Sequence, residues 1–244
     1  MQIAGYLKTS LIEWPGKISS VIFTLGCNFH CPFCHNADLV DPAKFNKKML
    51  LDERGVLDNL EKRKNWIDTV VITGGEPTLQ KDLPKFLEKI KKIGLLTMIH
   101  TNGTDPRLII QLLNCSIVDY ICMDVKGDLE NYSNYTNYSN DQMVKQIEET
   151  MRLIINSEVG YEFRTTVVPG LHNLKNLSKL ARQIKTMLDT KYKIQNTKWF
   201  LQQFRPINTL DKKFLEIKPF SEAELEALQK ELQKIISPTF LRGV

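Results

Sequence analysis

Apolar segments rich in β-branched residues alternate with segments of helical periodicity, and this alternation constrains the fold most strongly. Strands are predicted at residues 19–25, 69–73, 95–100, 117–123, 161–168 and 199–204. Helices are predicted between and after them at residues 50–64, 84–93, 106–114, 141–157 and 173–188. Strands separated by helices of this length pair in parallel through right-handed crossovers. A closed eight-unit barrel usually needs about 250 residues. The pattern therefore predicts an α/β fold, an open and partial (β/α)6 TIM-type barrel with a short N-terminal arm.

The regions before and after the six predicted strand–helix units are expected to belong to the same domain as those units. Residues 1–18 contain short apolar pieces broken by Trp14-Pro15-Gly16, which predicts an N-terminal arm or small hairpin. The barrel core is expected at residues 19–210. Residues 211–244 are expected to form a C-terminal helical extension, because Ser221 and Glu224 have the spacing of a capping box that opens a helix.

The cysteine content, the net charge and the length of the apolar runs limit the classes of protein to which this chain can belong. The chain has 244 residues and five cysteines, three of them clustered, which is typical of a reducing compartment and a bound cofactor rather than of a disulfide scaffold. The net charge of +5 comes from lysines scattered along helices, so no nucleic-acid partner is expected. No apolar run approaches the roughly 20 residues that span a bilayer. We expect a cytoplasmic protein without a membrane partner.

Three cysteines, Cys27, Cys31 and Cys34, follow the first predicted strand at C-x3-C-x2-C spacing. Three thiolates close together form a soft-metal site. A closed zinc site needs a fourth ligand, which His30 or His35 could supply. A [4Fe–4S] cluster held by three cysteines instead keeps one iron open for a substrate. Both interpretations remain open on the spacing alone.

Polar or glycine-containing segments also follow the other predicted strands. In a barrel of parallel strands, the carboxyl ends of the strands surround the active site. The sequence therefore predicts one shared site, built from the cysteine loop and from segments that contain Gly74-Gly75-Glu76-Pro77, His100-Thr101-Asn102-Gly103, Asp124-Val125-Lys126, Arg164-Thr165-Thr166 and Gln202-Gln203-Phe204-Arg205.

The cysteine spacing, with the aromatic Phe33 before the last cysteine, resembles the motif of the radical S-adenosylmethionine (SAM) superfamily. The longer string is similar to the glycyl-radical-enzyme activases, in particular to the activating protein of anaerobic ribonucleoside-triphosphate reductase. It comprises Trp14-Pro15-Gly16 and the run from Ile22 to Asn36. The resemblance covers roughly residues 5 to 210 and implies a [4Fe–4S] cluster on the three cysteines, with SAM bound at the open iron.

The resemblance also implies roles for individual positions. Phe33 lies where the family packs the loop beside the adenine, and Asn36 matches a position that contacts SAM. Gly74, Gly75 and Glu76 match the motif that holds the amino group of SAM, and an ordinary tight turn is the alternative there. The remaining expected cofactor-binding residues are Thr101, Asn102, Asp124, Lys126, Arg164 and Arg205.

Two further alternatives and one departure from the family pattern accompany these assignments. An ion pair of purely structural value is the alternative for Asp124 with Lys126, and a surface salt bridge is the alternative for Arg164 and Arg205. Some activases carry an acidic residue before Thr-Asn-Gly that helps to bind a monovalent cation. This chain has His100 there, so no cation site is assigned.

The leading hypothesis is a radical SAM oxidoreductase that activates a glycyl-radical enzyme. A flavodoxin or ferredoxin would supply one electron, SAM would be cleaved to a 5′-deoxyadenosyl radical, and this radical would take a hydrogen atom from a glycine of the partner. Anaerobic ribonucleoside-triphosphate reductase is the expected partner, and pyruvate formate-lyase is an alternative. A radical SAM enzyme acting on a small molecule, of the deazapurine-biosynthesis type, and a zinc- or cluster-bearing binding protein are the other hypotheses.

Overall fold

The computed structural model describes residues 1–140, 142–188, 193 and 196–244. Its strands form one sheet in chain order. They are β1 (Ile3–Ser10), β2 (Ser19–Thr24), β3 (Thr69–Gly74), β4 (Leu96–Thr101), β5 (Tyr120–Asp124), β6 (Gly160–Val167), β7 (Trp199–Gln203) and β8 (Thr239–Arg242). β1 is antiparallel to β2, and each later pair of neighbours is parallel. Within the described residues β1 and β8 do not pair with each other, so the predicted open α/β barrel is confirmed.

The helices follow the strands as the periodicity predicts. They are α1 (Glu53–Arg63), α2 (Leu83–Ile93), α3 (Pro106–Asn114), α4 (Ser133–Thr136), α5 (Met143–Ile155), α6 (Leu174–Met187) and α7 (Glu222–Gln233). Residue 141, the first of the helix predicted at 141–157, lies outside the described residues. Ser221 and Glu224 form the expected capping box of α7. Of the helices in the described part of the chain, none combines the length and the hydropathy that crossing a bilayer requires.

The predicted N-terminal arm is a full edge strand, β1, joined to β2 by a loop at residues 11–18. This loop turns into the barrel, where the Trp14 ring packs on Tyr120 with 4.9 Å between ring centroids. Trp14 also packs against a buried cluster that contains Val21, Val71 and Met98, which are inward-facing residues of three neighbouring strands. Apolar side chains therefore fill this end of the barrel, where they are removed from water.

The C-terminal segment, residues 211–244, is more than the helical extension that the sequence predicts. After α7 the chain returns as β8, which extends the sheet parallel to β7. Arg242 on β8 forms a bidentate ion pair with Glu162 on β6 inside the barrel, and its guanidinium lies 4.0 Å from the ring centroid of Phe200. β8 has only four residues, which is too short to give a period-two pattern in the sequence.

Candidate active site

A cavity of about 260 Å³ opens at the carboxyl ends of the parallel strands. Every predicted site residue except Arg205 contributes to its wall. The walls contain Cys27, Cys31, Phe33, Cys34, Asn36, Gly74, Gly75, Glu76, Thr101, Asn102, Asp124, Lys126 and Arg164. The cavity is also lined by His100, Thr166 and Gln202, which belong to the predicted segments but had no individual role, and by Glu13 and Thr73, which the sequence analysis did not place at the site.

Backbone hydrogen bonds hold the cysteine loop in place. Cys27 N–H donates to the Val40 carbonyl at 3.0 Å, and Cys34 N–H donates to the Cys31 carbonyl at 3.0 Å. The loop is also tied to distant segments, because His30 N–H donates to Thr136 O at 2.8 Å and the Pro32 carbonyl accepts from the backbone N–H of residue 211 at 2.9 Å. These hydrogen bonds fix the position of the cysteine loop relative to the sheet.

The three clustered thiols face one cavity. Cys27, Cys31 and Cys34 share its wall, whereas Cys115 is exposed and Cys122 is buried without lining the cavity. Within the described ranges no three His, Cys, Asp or Glu side chains are grouped closely enough to hold a single metal ion. Burial raises the pKa of Cys27 and of Cys31 to about 12, and binding of a metal requires that such thiols lose their protons.

The glycine pair after β3 is required by a close approach of two backbones. A Cβ on Gly75 would lie 2.0 Å from the Gly26 carbonyl oxygen, and one on Gly74 would lie 2.4 Å from Thr24 N. Gly74 also has φ +112°, which favours glycine. The approach is used for hydrogen bonds, since Gly75 N–H donates to Thr24 O at 2.9 Å and Glu76 N–H donates to Gly26 O at 2.8 Å. Asn36 Nδ2 adds a bond of 2.9 Å to the Gly74 carbonyl.

Glu76 joins the loops after β3 and β4. Its Oε1 accepts from Thr78 N–H at 3.1 Å, from the Thr78 hydroxyl at 2.6 Å and from the Thr101 hydroxyl at 2.7 Å. Its Oε2 accepts from Asn102 N–H at 2.7 Å. The side chain is 2% exposed. Burial raises the pKa of this carboxyl, and the four donors oppose that shift. Glu76 therefore lines the cavity and also holds the loops after β3 and β4 in position.

A second polar network links the cysteine loop to the loop after β4. Asn102 Nδ2 donates to Asn28 Oδ1 at 2.8 Å, and Asn28 Nδ2 donates to the Thr104 hydroxyl at 2.8 Å. Thr104 in turn donates to Asn102 Oδ1 at 2.7 Å. The side-chain amide of Asn102 is therefore hydrogen-bonded within the protein. The resemblance did not predict this ring of hydrogen bonds among Asn28, Asn102 and Thr104.

The predicted pairing of Asp124 and Lys126 is present, and Arg164 completes it. Arg164 Nε donates to Asp124 Oδ1 at 2.7 Å and its terminal nitrogen to Oδ2 at 3.1 Å, while Lys126 Nζ lies 3.2 Å from Oδ2. The two cations hold the pKa of Asp124 far below its usual range although burial opposes them, and Asp124 raises the pKa of Lys126 and of Arg164. The cluster carries a net positive charge at the cavity wall, which suits a carboxylate or another anionic group of a ligand.

Lys126 is fixed through its backbone. The Tyr132 hydroxyl accepts from Lys126 N–H at 2.9 Å, and the Lys126 carbonyl lies 2.8 Å from His172 Nε2. His172 Nδ1 accepts from Val168 N–H at 3.0 Å, so Nε2 carries the ring proton. The same ring stacks near Phe33, with 6.5 Å between centroids and an edge-on angle of 78°. His172 had no assigned role in the sequence, and the structure makes it a support for two cavity residues.

Two residues lie at the inner end of the cavity: His100, from a predicted segment but without an assigned role, and Glu13, for which the sequence gave no signal. His100 is 6% exposed, and its Nδ1 lies 3.5 Å from a terminal nitrogen of Arg164. Glu13 comes from the loop between β1 and β2, and its Oε2 lies 3.9 Å from His100 Nε2. Glu13 is separated from His100 by almost ninety positions in the chain, and only the inward turn of its loop brings it here. Arg205, in contrast, is exposed and does not line the cavity.

Comparison with known proteins gives the class. Residues 21–182 match the family described as the Radical SAM superfamily. A putative glycyl-radical enzyme activating enzyme of Methanocaldococcus jannaschii is 32% identical over 99% of this chain and 96% of its own length. A pyruvate formate-lyase-activating enzyme of Clostridium pasteurianum is 27% identical over 93% of this chain and 94% of its own. This chain belongs to the radical SAM superfamily.

Solved structures agree on the fold. A crystal structure of Streptococcus suis SuiB bound to S-adenosylmethionine superposes with a TM-score of 0.63 at 18% identity, covering 91% of this chain and 50% of that one. The chain thus spans about half the length of that protein. Family membership makes the protein a radical SAM enzyme with a [4Fe–4S] cluster and SAM as its cofactors. The donor set described above, three thiols and no fourth within the cavity wall of the described residues, fits that cluster.

Proposed function

We propose that the protein is an activating enzyme that generates a glycyl radical on a partner enzyme. The observation that carries the proposal is the similarity to a putative glycyl-radical enzyme activating enzyme over nearly the whole length of both chains. The open barrel is compatible with it, because among the described residues β1 and β8 do not pair and the sheet is not closed between them. Anaerobic ribonucleoside-triphosphate reductase is the partner we propose from the motif, with pyruvate formate-lyase as the competing partner.

We assign the cavity residues as follows. Cys27, Cys31 and Cys34 hold the cluster, and the positive cluster around Asp124 binds the carboxylate of SAM. When bound, the cluster and SAM would supply the chemistry for removing a hydrogen atom from the substrate. The protein contributes position and exclusion of water, since Glu76, Asn102 and Asp124 are each held by hydrogen bonds within the cavity wall.

We propose the remaining assignments from the resemblance, and contacts within the protein support them. Glu76 and the backbone of Gly74 and Gly75 face the amino group of SAM, and Asn36 stands beside them through its bond to the Gly74 carbonyl. Phe33 is buried beside His172 and provides an apolar wall for the adenine. Thr101 and Asn102 hold Glu76 in place.

The test begins with anaerobic reconstitution using iron and sulfide, reduction, and measurement of 5′-deoxyadenosine. Wild type should cleave SAM, and Cys27→Ala, Cys31→Ala and Cys34→Ala should not. Cys115→Ala is the matched control, because this thiol is exposed and outside the cavity. Cleavage that survives the three substitutions would overturn the cluster assignment.

The partner is tested by mixing the reduced protein and SAM with each candidate enzyme of the same organism. We expect an electron paramagnetic resonance signal of a glycyl radical with anaerobic ribonucleoside-triphosphate reductase. A signal only with pyruvate formate-lyase would replace the partner, and SAM cleavage without a glycyl radical on either enzyme would refute the proposal. Replacing dithionite with reduced flavodoxin or ferredoxin tests the proposed electron donor. The reaction needs a reducing environment, which agrees with the expected cytoplasmic location.

A further inference from the structure

A tyrosine-rich segment after β5, residues 128–138, packs against the cysteine loop. Phe29, in the middle of that loop, contacts two of its rings, with 6.2 Å between the ring centroids of Phe29 and Tyr132 and 5.7 Å between those of Phe29 and Tyr138. The backbone N–H of His30 donates to the last carbonyl of α4, within the same segment, at 2.8 Å. The segment therefore holds the part of the loop that separates the first two cysteines.

The same segment also holds Lys126. The hydroxyl of Tyr132 accepts from the backbone N–H of Lys126 at 2.9 Å, and the backbone carbonyl of Lys126 lies 2.8 Å from Nε2 of His172. Both backbone polar groups of Lys126 are thus bound by side chains from other parts of the chain. These bonds fix the backbone of Lys126, and with it the point from which its ammonium reaches Asp124.

Tyr132 is the residue that makes contacts of both kinds. Its ring packs on Phe29, and its hydroxyl binds the backbone of Lys126. Tyr132 is 1% exposed and is not among the described residues that line the cavity. It can therefore act on a ligand in the cavity only through other residues. Outer groups that orient ligand-binding residues have large effects on affinity.

We propose that Tyr132 is a positioning residue that fixes the cysteine loop and Lys126 relative to each other. The inference rests on the proposed function, which assigns the cluster to the cysteine loop and the carboxylate of SAM to the charged group around Asp124. A ligand that binds at both places needs them at a fixed separation. The ring of Tyr132 supports the first place and its hydroxyl supports the second.

Tyr132→Phe separates the two contacts, because it keeps the ring and removes the hydroxyl. The Kd of SAM is measured by isothermal titration calorimetry on the reconstituted protein with its cluster oxidised, where SAM is bound but not cleaved. We expect the Kd to rise by about 10-fold, while the iron and sulfide content stays that of wild type. Tyr161→Phe is the matched control, since it removes a hydroxyl that is bonded to Thr197 at 2.7 Å and lies outside the cavity wall.

A second measurement needs no cofactor. Amide hydrogen exchange of the cluster-free protein, followed by nuclear magnetic resonance, reports the bond between Lys126 N–H and Tyr132 directly. Tyr132→Phe should speed exchange at the Lys126 amide by about 10-fold. The neighbouring Val125 amide is the internal control, because it donates to the backbone carbonyl of Arg164 at 2.8 Å and should exchange as in wild type.

Lys126→Met separates the positioning role from the assignment on which it rests. If Lys126→Met binds SAM as tightly as wild type, the carboxylate assignment is wrong and the role of Tyr132 fails with it. If Lys126→Met weakens binding and Tyr132→Phe binds within about twofold of wild type, only the positioning role is wrong. Loss of the cluster in Tyr132→Phe, or equally faster exchange at Val125, would show a general structural role and would also overturn it. Because no partner enzyme is present, a missing glycyl radical on either candidate partner leaves these results unaffected.

Discussion

Substitution of Glu76 tests whether its carboxylate holds the loops after β3 and β4 together. It accepts four hydrogen bonds from Thr78, Thr101 and Asn102 while 2% exposed. Glu76→Gln keeps the shape but replaces one acceptor oxygen with an NH2 donor. If that nitrogen faces Asn102 N–H, a buried backbone donor loses its partner.

The magnitude follows from these contacts. A hydrogen bond to a charged group contributes about 1.5–3 kcal/mol, and an unsatisfied buried group costs about 1–3 kcal/mol. The bonds to the remaining, now neutral, oxygen are also weaker. We expect a total loss of roughly 3 kcal/mol in the free energy of unfolding. For a chain of this size, that corresponds to a fall in Tm of about 6–12 °C.

Thermal unfolding of the cluster-free protein, followed by circular dichroism under reducing conditions, measures this effect without any contribution from the cofactors. Glu88→Gln is the control, because it makes the same chemical change at an exposed position of α2. A Tm of Glu76→Gln within about 2 °C of wild type would refute the conclusion that this carboxylate joins the two loops. A loss of SAM binding alone, with unchanged Tm, would instead make Glu76 purely a ligand.

Three further predictions concern stability. Asp124→Asn leaves two half-buried cations at the cavity wall without their carboxylate and should lower the free energy of unfolding in urea by about 1.5–3 kcal/mol; an unchanged midpoint would contradict the pairing. Gly75→Ala should cost about 3 kcal/mol in the same assay, because its methyl group would lie 2.0 Å from the Gly26 carbonyl oxygen, whereas Gly55→Ala in α1 should be neutral or stabilising. Burial lowers the pKa of His172 to about 4, below its value in the unfolded chain, so the unfolded state binds the proton first and stability should fall as the pH drops from about 6.5 toward 4. His172→Gln should flatten that slope, and an equally steep slope in the variant would refute the assignment.

The sequence predicted the barrel and the walls of the cavity because both depend on local patterns. Strand and helix periodicity is visible in short windows, and a residue placed at the carboxyl end of a parallel strand reaches the site regardless of what lies between. Asp124 and Lys126 were found in this way. Glu13 was missed because its position depends on a loop that turns into the barrel, which no local pattern encodes. Arg205 illustrates the reverse case, since it follows β7 but its side chain points to the surface.

It was harder to predict the roles of the site residues than to predict which residues line the cavity. The glycine pair at Gly74 and Gly75 was expected to help hold the amino group of SAM, and in the structure it lets two backbone segments of the protein approach each other. Glu76 was expected to face SAM. In the structure its carboxylate also accepts four hydrogen bonds and thereby connects the loops after β3 and β4. Such dual use depends on distances between chain segments, so it becomes visible only once the fold brings them together.

The backbone contact between the loops after β2 and β3 has a consequence for how such a protein diversifies. Main-chain N–H and C=O groups are common to almost all residue types, so apart from the two glycines this contact does not depend on particular side chains. Glu13 and His100, at the inner end of the cavity, belong to other segments and take no part in this contact. Substitutions at the inner end can therefore change the shape and polarity of the cavity, while the backbone contact between the two loops is kept.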